Sequence, residues 1–206
     1  ISASTDDDRI AWYENNNGDG SSWTAYDITT SALGARSVFA ADMDGDLDMD
    51  IVSASQYDDT IAWYENNNGD GSSWTSANIV TTYALGARSV FAADMDGDLD
   101  MDIVSASIFD DTIAWYENDG NADPPWTATD IATSADYAMS VYVADMDGDG
   151  DMDVVSASRD DDTIAWYENN VGDGSSWTAA NIATNSLNAR SVYVADIDGN
   201  GNMDIL

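Results

Sequence analysis

The chain has 206 residues, is 44% hydrophobic and carries a formal charge of −35, from 40 acidic residues against five arginines. Its length and apolar content are those of a folded protein with a real core. The charge disfavours any compact state through self-repulsion unless cations bind. Nucleic acids and anionic membranes need a basic patch that five scattered arginines cannot make, so both are excluded as partners. No apolar run approaches the roughly 20 residues of a membrane span.

One unit is used four times along the chain. Its tryptophan recurs at spacings of 51, 52 and 51 residues, and an aspartate further on recurs at 52, 51 and 51, in the series Trp12, Trp63, Trp115, Trp166 and Asp42, Asp94, Asp145, Asp196. A repeat of about 50 residues made of strands and turns is typical of a propeller blade. The sequence therefore predicts an all-β chain, a β-propeller of four-stranded antiparallel blades in a single repeat domain. The predicted units are 1–36 (completed by the C-terminal strand if the ring closes), 37–88, 89–139, 140–190 and 191–206.

Each unit is predicted to contain four strands. In the unit that begins at residue 89 they cover 89–93, 103–107, 112–117 and 126–132, and the last is expected to be outermost. Both faces of the third strand are apolar, with Ile113 and Trp115 on one and Ala114 and Tyr116 on the other. This pattern predicts a sheet that is packed between two neighbours.

A turn rich in asparagine and glycine joins strands three and four, at residues 15–22, 66–73 and 169–176. Asn15, Asn17 and Asp19 imitate the first half of an ion-binding loop, but Trp23 stands at the ninth position. A plain hairpin turn is therefore favoured over a second cation site. The third copy differs, and its Pro124 and Pro125 are expected to stiffen a surface loop.

An acidic nine-residue loop between strands one and two is the strongest chemical signal in the chain. Carboxylates at positions 1, 3, 5 and 9, with the backbone carbonyl of position 7, can surround one hard cation with six to eight oxygens, which suits Ca²⁺. We expect about one ion per repeat, four in all. The glycine at position 4 supplies the tight turn. The candidate ligand residues are Asp42, Asp44, Asp46, Asp48, Asp50; Asp94, Asp96, Asp98, Asp100, Asp102; Asp145, Asp147, Asp149, Asp151, Asp153; and Asp196, Asp198, Asn200, Asn202, Asp204.

The loop is not an EF-hand. An EF-hand needs a bidentate glutamate at position 12, where these copies have Ser53, Ser105 and Ser156. The flanking segments are β-branched and aromatic rather than helical in period. The loop is therefore predicted to join two strands.

The repeated Asp-Met/Ile-Asp-Gly-Asp/Asn pattern, followed by Ser-Ala-Ser and Ala-Trp-Tyr-Glu-Asn, resembles the FG-GAP/VCBS repeats of secreted proteins, which are related to the integrin α-subunit propeller. The resemblance covers the whole chain. It implies a calcium-binding propeller in which position 7 contributes its carbonyl, here Asp48, Asp100, Asp151 and Asn202. The Phe-Gly and Gly-Ala-Pro signatures of the family are absent, and Leu47 and Leu99 stand where the family usually has the glycine kept at Gly150 and Gly201.

No catalytic function is expected, because the chain has no histidine, cysteine or lysine and its carboxylates recur identically in every copy. We expect an extracellular, secreted, calcium-binding structural or adhesion protein: a scaffold, an adhesin segment or a filament subunit. The alternative is a multivalent calcium-dependent lectin, whose exposed aromatic rings would stack on sugars. Expected partners are further copies of the chain, in a ring, dimer or filament, or an extracellular protein or glycan. The four units either close a ring or form part of a longer array.

Overall fold

The computed structural model describes residues 1–120 and 126–206, so the predicted stiff loop at Pro124 and Pro125 lies outside the described residues. Seventeen strands are present in the described part of the chain, and no helix is found there. The strands are β1 Ser2–Ser4, β2 Arg9–Asn15, β3 Trp23–Thr29, β4 Ala35–Ala41, β5 Asp50–Ser55, β6 Thr60–Tyr64, β7 Asn78–Thr81, β8 Ala87–Ala93, β9 Asp102–Ser107, β10 Thr112–Glu117, β11 Thr127–Ala132, β12 Ala138–Ala144, β13 Asp153–Ser158, β14 Thr163–Asn169, β15 Trp177–Ala183, β16 Val194–Ala195 and β17 Asp204–Ile205.

The strands form five antiparallel sheets in chain order. Three sheets have four strands, β4-β5-β6-β7, β8-β9-β10-β11 and β12-β13-β14-β15, each joined between consecutive neighbours. The first sheet has three strands, β1-β2-β3, and the last has two, β16-β17. The predicted all-β class and four-stranded antiparallel sheets are thereby confirmed. No strand pairing in the described residues joins one of these sheets to another, and neighbouring sheets meet by packing.

The core lies between successive sheets rather than within one of them. Ile113, Ala114, Trp115 and Tyr116 are all buried, as the two-faced pattern of the third strand predicts. One buried cluster is shared by the sheets of β4–β7 and β8–β11, and a second by the sheets of β8–β11 and β12–β15. Each interface therefore repeats the packing of the one before it, and burial of its apolar area is the main stabilising contribution.

The first strands of successive sheets lie side by side. Their aromatic rings form a ladder, with centroid distances of 4.3 Å between Phe39 and Phe91, 4.8 Å between Phe91 and Tyr142, and 4.9 Å between Tyr142 and Tyr193. Tilted and edge-on contacts of this length are favourable for aromatic pairs. The ladder therefore runs along the side of the array that the first strands form.

Hydrogen bonds repeat between neighbouring sheets at the turn between strands two and three. The Asp59 carboxylate accepts a bond from Gly86 N at 2.7 Å, and its carbonyl accepts one from Ala84 N at 3.1 Å. Asp59 has a positive φ of 57°, a conformation that aspartate tolerates better than most residues. The other copies use the same bond to the connector before the next first strand, through Asp8, Asp111 and Asp162.

The turns rich in asparagine also take part in the interfaces. A Cβ atom at Gly174 would lie 2.2 Å from the ring of Trp115 in the preceding sheet, so only glycine fits there. None of the carboxylate groups found in the described residues includes a residue of these turns.

Candidate metal centres

The four acidic loops occupy equivalent places in the fold. Each joins the first strand of a sheet to the second, between β4 and β5, β8 and β9, β12 and β13, and β16 and β17. The prediction that the loop links two strands is confirmed. Because every loop joins the same two strands, all four lie at the same end of their sheets.

Carboxylate side chains hold each loop in shape by accepting bonds from its own backbone. In the second loop, Asp94 accepts bonds from Gly97 N at 2.7 Å and Leu99 N at 3.1 Å. Asp96 accepts a bond from Asp98 N at 3.2 Å, and Asp98 accepts one from Asp100 N at 2.9 Å. These bonds turn the backbone N–H groups toward the carboxylates and fix the side chains near one another.

The sixth position of each loop has left-handed backbone whether or not it is glycine. Leu47 and Leu99 have φ angles of 76° and 79°, and Gly150 and Gly201 have 100° and 92°. Both leucine side chains are almost wholly exposed, so sterics with neighbours do not prevent the conformation. The two copies that depart from the family pattern therefore keep the loop geometry at the cost of backbone strain.

The ninth position differs from the others because its carboxylate is buried. Asp102 is 0% exposed and accepts bonds from Met95 N at 3.0 Å and Asn118 N at 2.7 Å. Burial raises the pKa of Asp102 to about 7, while the two backbone bonds lower it to a smaller extent. The same cause raises the pKa of Asp50 to about 6. Since burial disfavours the charged form, a bound cation would stabilise these carboxylates most.

The structure gathers three carboxylates of each loop into one group whose ligand atoms lie within 4.8 Å of one another. Positions 1, 3 and 9 form the group in the first, second and fourth loops, and positions 1, 3 and 5 form it in the third: Asp42, Asp44, Asp50; Asp94, Asp96, Asp102; Asp196, Asp198, Asp204; and Asp145, Asp147, Asp149. Each group can hold a metal ion, and there is one group per repeat. A set made only of oxygen donors suits a hard cation.

Six of the predicted aspartate ligands lie outside the groups that the structure brings together. At position 5, Asp46 and Asp98 are not members, and Asp153 at position 9 of the third loop is not either. The position 7 side chains point elsewhere: Asp48, Asp100 and Asp151 lie over glycines of the adjoining hairpin turns, namely Gly69, Gly120 and Gly172. These side-chain positions are compatible with the predicted use of the position 7 backbone carbonyl.

An asparagine at the end of the third strand of a sheet donates a hydrogen bond to the acidic loop of the preceding sheet. The sequence pattern does not predict this contact. The side chain of Asn169 donates to Met95 O, in the preceding sheet, at 2.9 Å, and Asn118 donates to Met43 O at 3.2 Å. Both asparagines are buried. The recurrence of Tyr-Glu-Asn carries the signal, but the sequence pattern predicts this residue as the start of a turn.

One known family matches the sequence, and its matches recur along the chain with the repeat. The family model for FG-GAP-like repeats matches the chain four times, at residues 1–53, 42–105, 100–156 and 145–206. Together these matches cover every residue, and each contains at least one acidic loop. The sequence has no match among curated proteins.

Proposed function

The chain belongs to the FG-GAP-like repeat family, and from this premise we propose that it is a calcium-binding structural or adhesion protein that acts outside the cell. Repeats of this family occur typically in extracellular proteins, and they suggest a role in structure or adhesion. The observation that carries the proposal is the recurrence of one group of three carboxylates in every repeat.

Calcium is the cation that the loops would hold. The sequence has neither histidine nor cysteine, so the nitrogen and sulfur ligands of most zinc sites are missing. Carboxylates at three or more positions together with a backbone carbonyl give the high oxygen count that Ca²⁺ accepts, whereas Mg²⁺ demands six ligands in a stricter geometry. Loops of this kind fill at the millimolar calcium found outside cells, which favours secretion.

The ion would stabilise the contact between sheets. Asp102 connects the two ends of its own loop to the start of the next turn through its bonds to Met95 N and Asn118 N. Met95 in turn accepts the side-chain bond of Asn169 from the following sheet. A cation that holds Asp102 in its ionised form would therefore stabilise both the loop and the interface beside it, which suits a protein with a mechanical role.

We further propose a propeller arrangement, completed by more sheets of the same kind. Tyr13, in the first sheet, is 43% exposed, whereas its equivalent Tyr64 is 3% exposed. At the other end Ile197 is 60% exposed, whereas its equivalent Met95 is 1% exposed. These two outer faces match the two sides of an inner interface. Either could pack on the other, on further repeats or on a second copy of the chain, and electron microscopy of the calcium-loaded protein would show which.

The non-catalytic nature of the protein is part of the proposal, and the lectin alternative would rest on exposed rings such as Tyr57, Tyr83 and Phe109 rather than on most of the tryptophans. Among the eight tryptophans only Trp23 is exposed, at 58%, and the others are at least half-buried. Packing accounts for their recurrence. A glycan array in the presence of calcium would test the alternative directly.

Calcium dependence is tested by melting the protein with and without the ion. We expect removal of calcium with a chelator to lower Tm sharply, because a ligand that binds only the folded state adds stability by mass action. Isothermal titration should give about one Ca²⁺ per loop, and Mg²⁺ at the same concentration is the control. An unchanged Tm with no binding heat would overturn the proposal.

A further inference from the structure

A polar cavity of about 230 Å³ lies between the sheets β4–β7 and β8–β11, at the end of β9 that is remote from its acidic loop. Pockets for drug-sized ligands are larger, about 300–1,000 Å³, so this cavity fits one small group. Three alanines form the apolar part of its wall. The polar side chains that line it are Ser107, Asp110, Thr112, Tyr116 and Asp130, and the exposed ring of Tyr83 also borders it.

The free hydrogen-bonding groups of this cavity are chiefly acceptors. Asp110 Oδ2 accepts a bond from Leu85 N at 3.2 Å, whereas the buried Oδ1 meets no donor within the described part of the chain. Thr112 donates its hydroxyl proton to the Asp110 carbonyl at 2.9 Å, which leaves its lone pairs for a ligand. Asp130 adds a second carboxylate, and the ion pairs of the described residues include neither aspartate. Because a buried acceptor without a donor is unfavourable, the cavity favours a ligand that brings hydrogens.

The next interface, between β8–β11 and β12–β15, has the same places but different groups. Asp161 is equivalent to Asp110, since its carbonyl accepts the bond of Thr163 Oγ1 at 3.1 Å. Its Oδ1 accepts a further bond from Thr163 N at 3.2 Å. By strand pairing, the neutral Asn181 occupies the place of Asp130. The donor-less oxygen and the second carboxylate are therefore both replaced at this interface.

The ring of Tyr83 also distinguishes the cavity from its equivalents. At this place in the connector, the other copies have Ser31, Ser134 and Asn185. Between β1–β3 and β4–β7, Asp58 Oδ1 likewise lacks a donor among the described residues, but Ile79 takes the place of Asp130. The repeat therefore packs without Tyr83 and Asp130, and these two side chains are available for a ligand.

We propose that this cavity binds one primary alkylammonium group, as at the end of a lysine side chain of a partner protein. An ammonium group has three donors and no acceptor, which complements the acceptors of Asp110, Asp130 and Thr112. Its charge would pair with the two carboxylates and gain cation–π attraction from the Tyr83 ring. The attached methylene groups would contact the alanines. The chain itself has no lysine, so the group comes from a different protein, and the net charge of −35 attracts a basic one.

Two further observations favour ammonium over a metal ion at this place. Burial raises the pKa of Asp110, while hydrogen bonds lower it to a smaller extent, so a cation beside it would stabilise its charged form. Ca²⁺ needs six to eight oxygens, and the metal-capable carboxylate groups of the described residues include neither Asp110 nor Asp130. The cavity is therefore distinct from the acidic loops.

Backbone amide signals in NMR test the site, with butylammonium chloride as the probe and sodium chloride at matched ionic strength as the reference. We expect the signals of Thr112 and Asp130 to shift and saturate, while those of the equivalent Thr163 and Asn181 stay in place. 1-Butanol, which has the same chain without the charge, should cause no saturating shift. Equal shifts at both interfaces, or shifts without saturation, would reflect general attraction of cations to an acidic protein and overturn the site.

Asp110→Asn removes the central charge and keeps an acceptor for Leu85 N. We expect it to bind butylammonium at least about tenfold more weakly, because a charged hydrogen bond is lost. Asp161→Asn makes the same change at the next interface and should bind as the parent does. Asp130→Asn installs the residue of the next copy, so it is expected to fold, and it should bind about threefold more weakly. Parent-like affinity of both Asp110→Asn and Asp130→Asn would contradict the proposal.

The lysine source is tested with Nα-acetyl-lysine amide against glucosamine, an amino sugar. We expect the lysine derivative to bind at least as tightly as butylammonium and more tightly than glucosamine, because its ammonium is at the end of a flexible chain. Tighter binding of glucosamine would overturn the assignment to lysine. These measurements do not depend on whether the acidic loops bind calcium, so they succeed or fail independently of that proposal.

Discussion

The second and fourth acidic loops have nearly the same internal structure but different surroundings. Asp94 accepts its bond from Gly97 N at 2.7 Å, and Asp196 accepts the equivalent bond from Gly199 N at 2.8 Å. The fourth loop keeps this shape although its sheet has only two strands. The loop conformation is therefore local, set by carboxylates and left-handed residues within nine positions.

The ninth carboxylate shows what the surroundings add. Asp102 is fully buried and bonded to Asn118 N, whereas Asp204 is only half-buried and accepts its one described bond from Ile197 N at 2.9 Å. Strand three and the next sheet cover the second loop and are not present beside the fourth in the structure. The loop itself therefore positions the candidate ligands, whereas the neighbouring strand and sheet bury the ninth carboxylate.

The largest expected effect comes from removing the buried carboxylate. Asp102→Ala leaves the N–H groups of Met95 and Asn118 without acceptors, and each buried donor left unpaired costs about 1–3 kcal/mol. We expect a loss of about 2–6 kcal/mol in the free energy of unfolding without calcium. Asp204→Ala should cost about 1 kcal/mol, since its site is open to water. Urea unfolding in the absence of calcium measures both.

Asp102→Asn is the conservative control for this pair, because its amide oxygen keeps one acceptor. It should lie between the parent and Asp102→Ala in stability. If Asp102→Ala and Asp204→Ala lose the same amount, the distinction between buried and open loops fails.

A smaller effect is expected from pH, and it follows from the raised pKa values of Asp50 and Asp102. In the metal-free protein these groups retain protons that the unfolded chain releases above about pH 4. Stability without calcium should therefore fall as pH rises from about 4 to 7. Calcium binds the ionised form, so the difference in Tm with and without calcium should grow over the same window.

Thermal melts of metal-depleted protein, with and without added calcium, at about pH 5 and 7.5 provide the measurement. Asp102→Asn should weaken the pH dependence, because it removes the group whose pKa is raised to about 7. A calcium effect of equal size at both pH values would show that the ninth carboxylates do not govern binding.

The smallest expected effect concerns the sixth position, where the second loop has Leu99 and the fourth has Gly201. A leucine in the left-handed backbone conformation costs about 1–2 kcal/mol. Replacing it with glycine removes this cost, but the greater freedom of glycine in the unfolded chain offsets about 0.5–1 kcal/mol of the gain in stability. Leu99→Gly should therefore stabilise the protein by up to about 1 kcal/mol. Gly201→Leu is the reverse exchange and should destabilise it by about the same amount. Denaturant unfolding that shows the opposite signs would mean that the loops relax differently from the structure.

Much of the fold could be predicted because its signals are local. The sequence predicts the third strand at 112–117, where β10 lies in the structure, since its alternating large and small apolar residues have the period of a strand. The β-branched and aromatic flanks of the acidic loops likewise predict that each loop joins two strands. The hydrogen bonds between neighbouring sheets are not predictable in this way, because partners such as Asn169 and Met95 lie 74 residues apart in the sequence.

The sequence by itself determined the repeat, the β-structure and the conformation of each acidic loop, because hydrogen bonds and backbone preferences within a few residues specify all three. Tertiary structure decided which carboxylates are buried and where the position 7 side chains point. These properties depend on the packing of one sheet against the next. Distances between residues some 50 positions apart are set by that packing, and periodicity along the chain does not encode them.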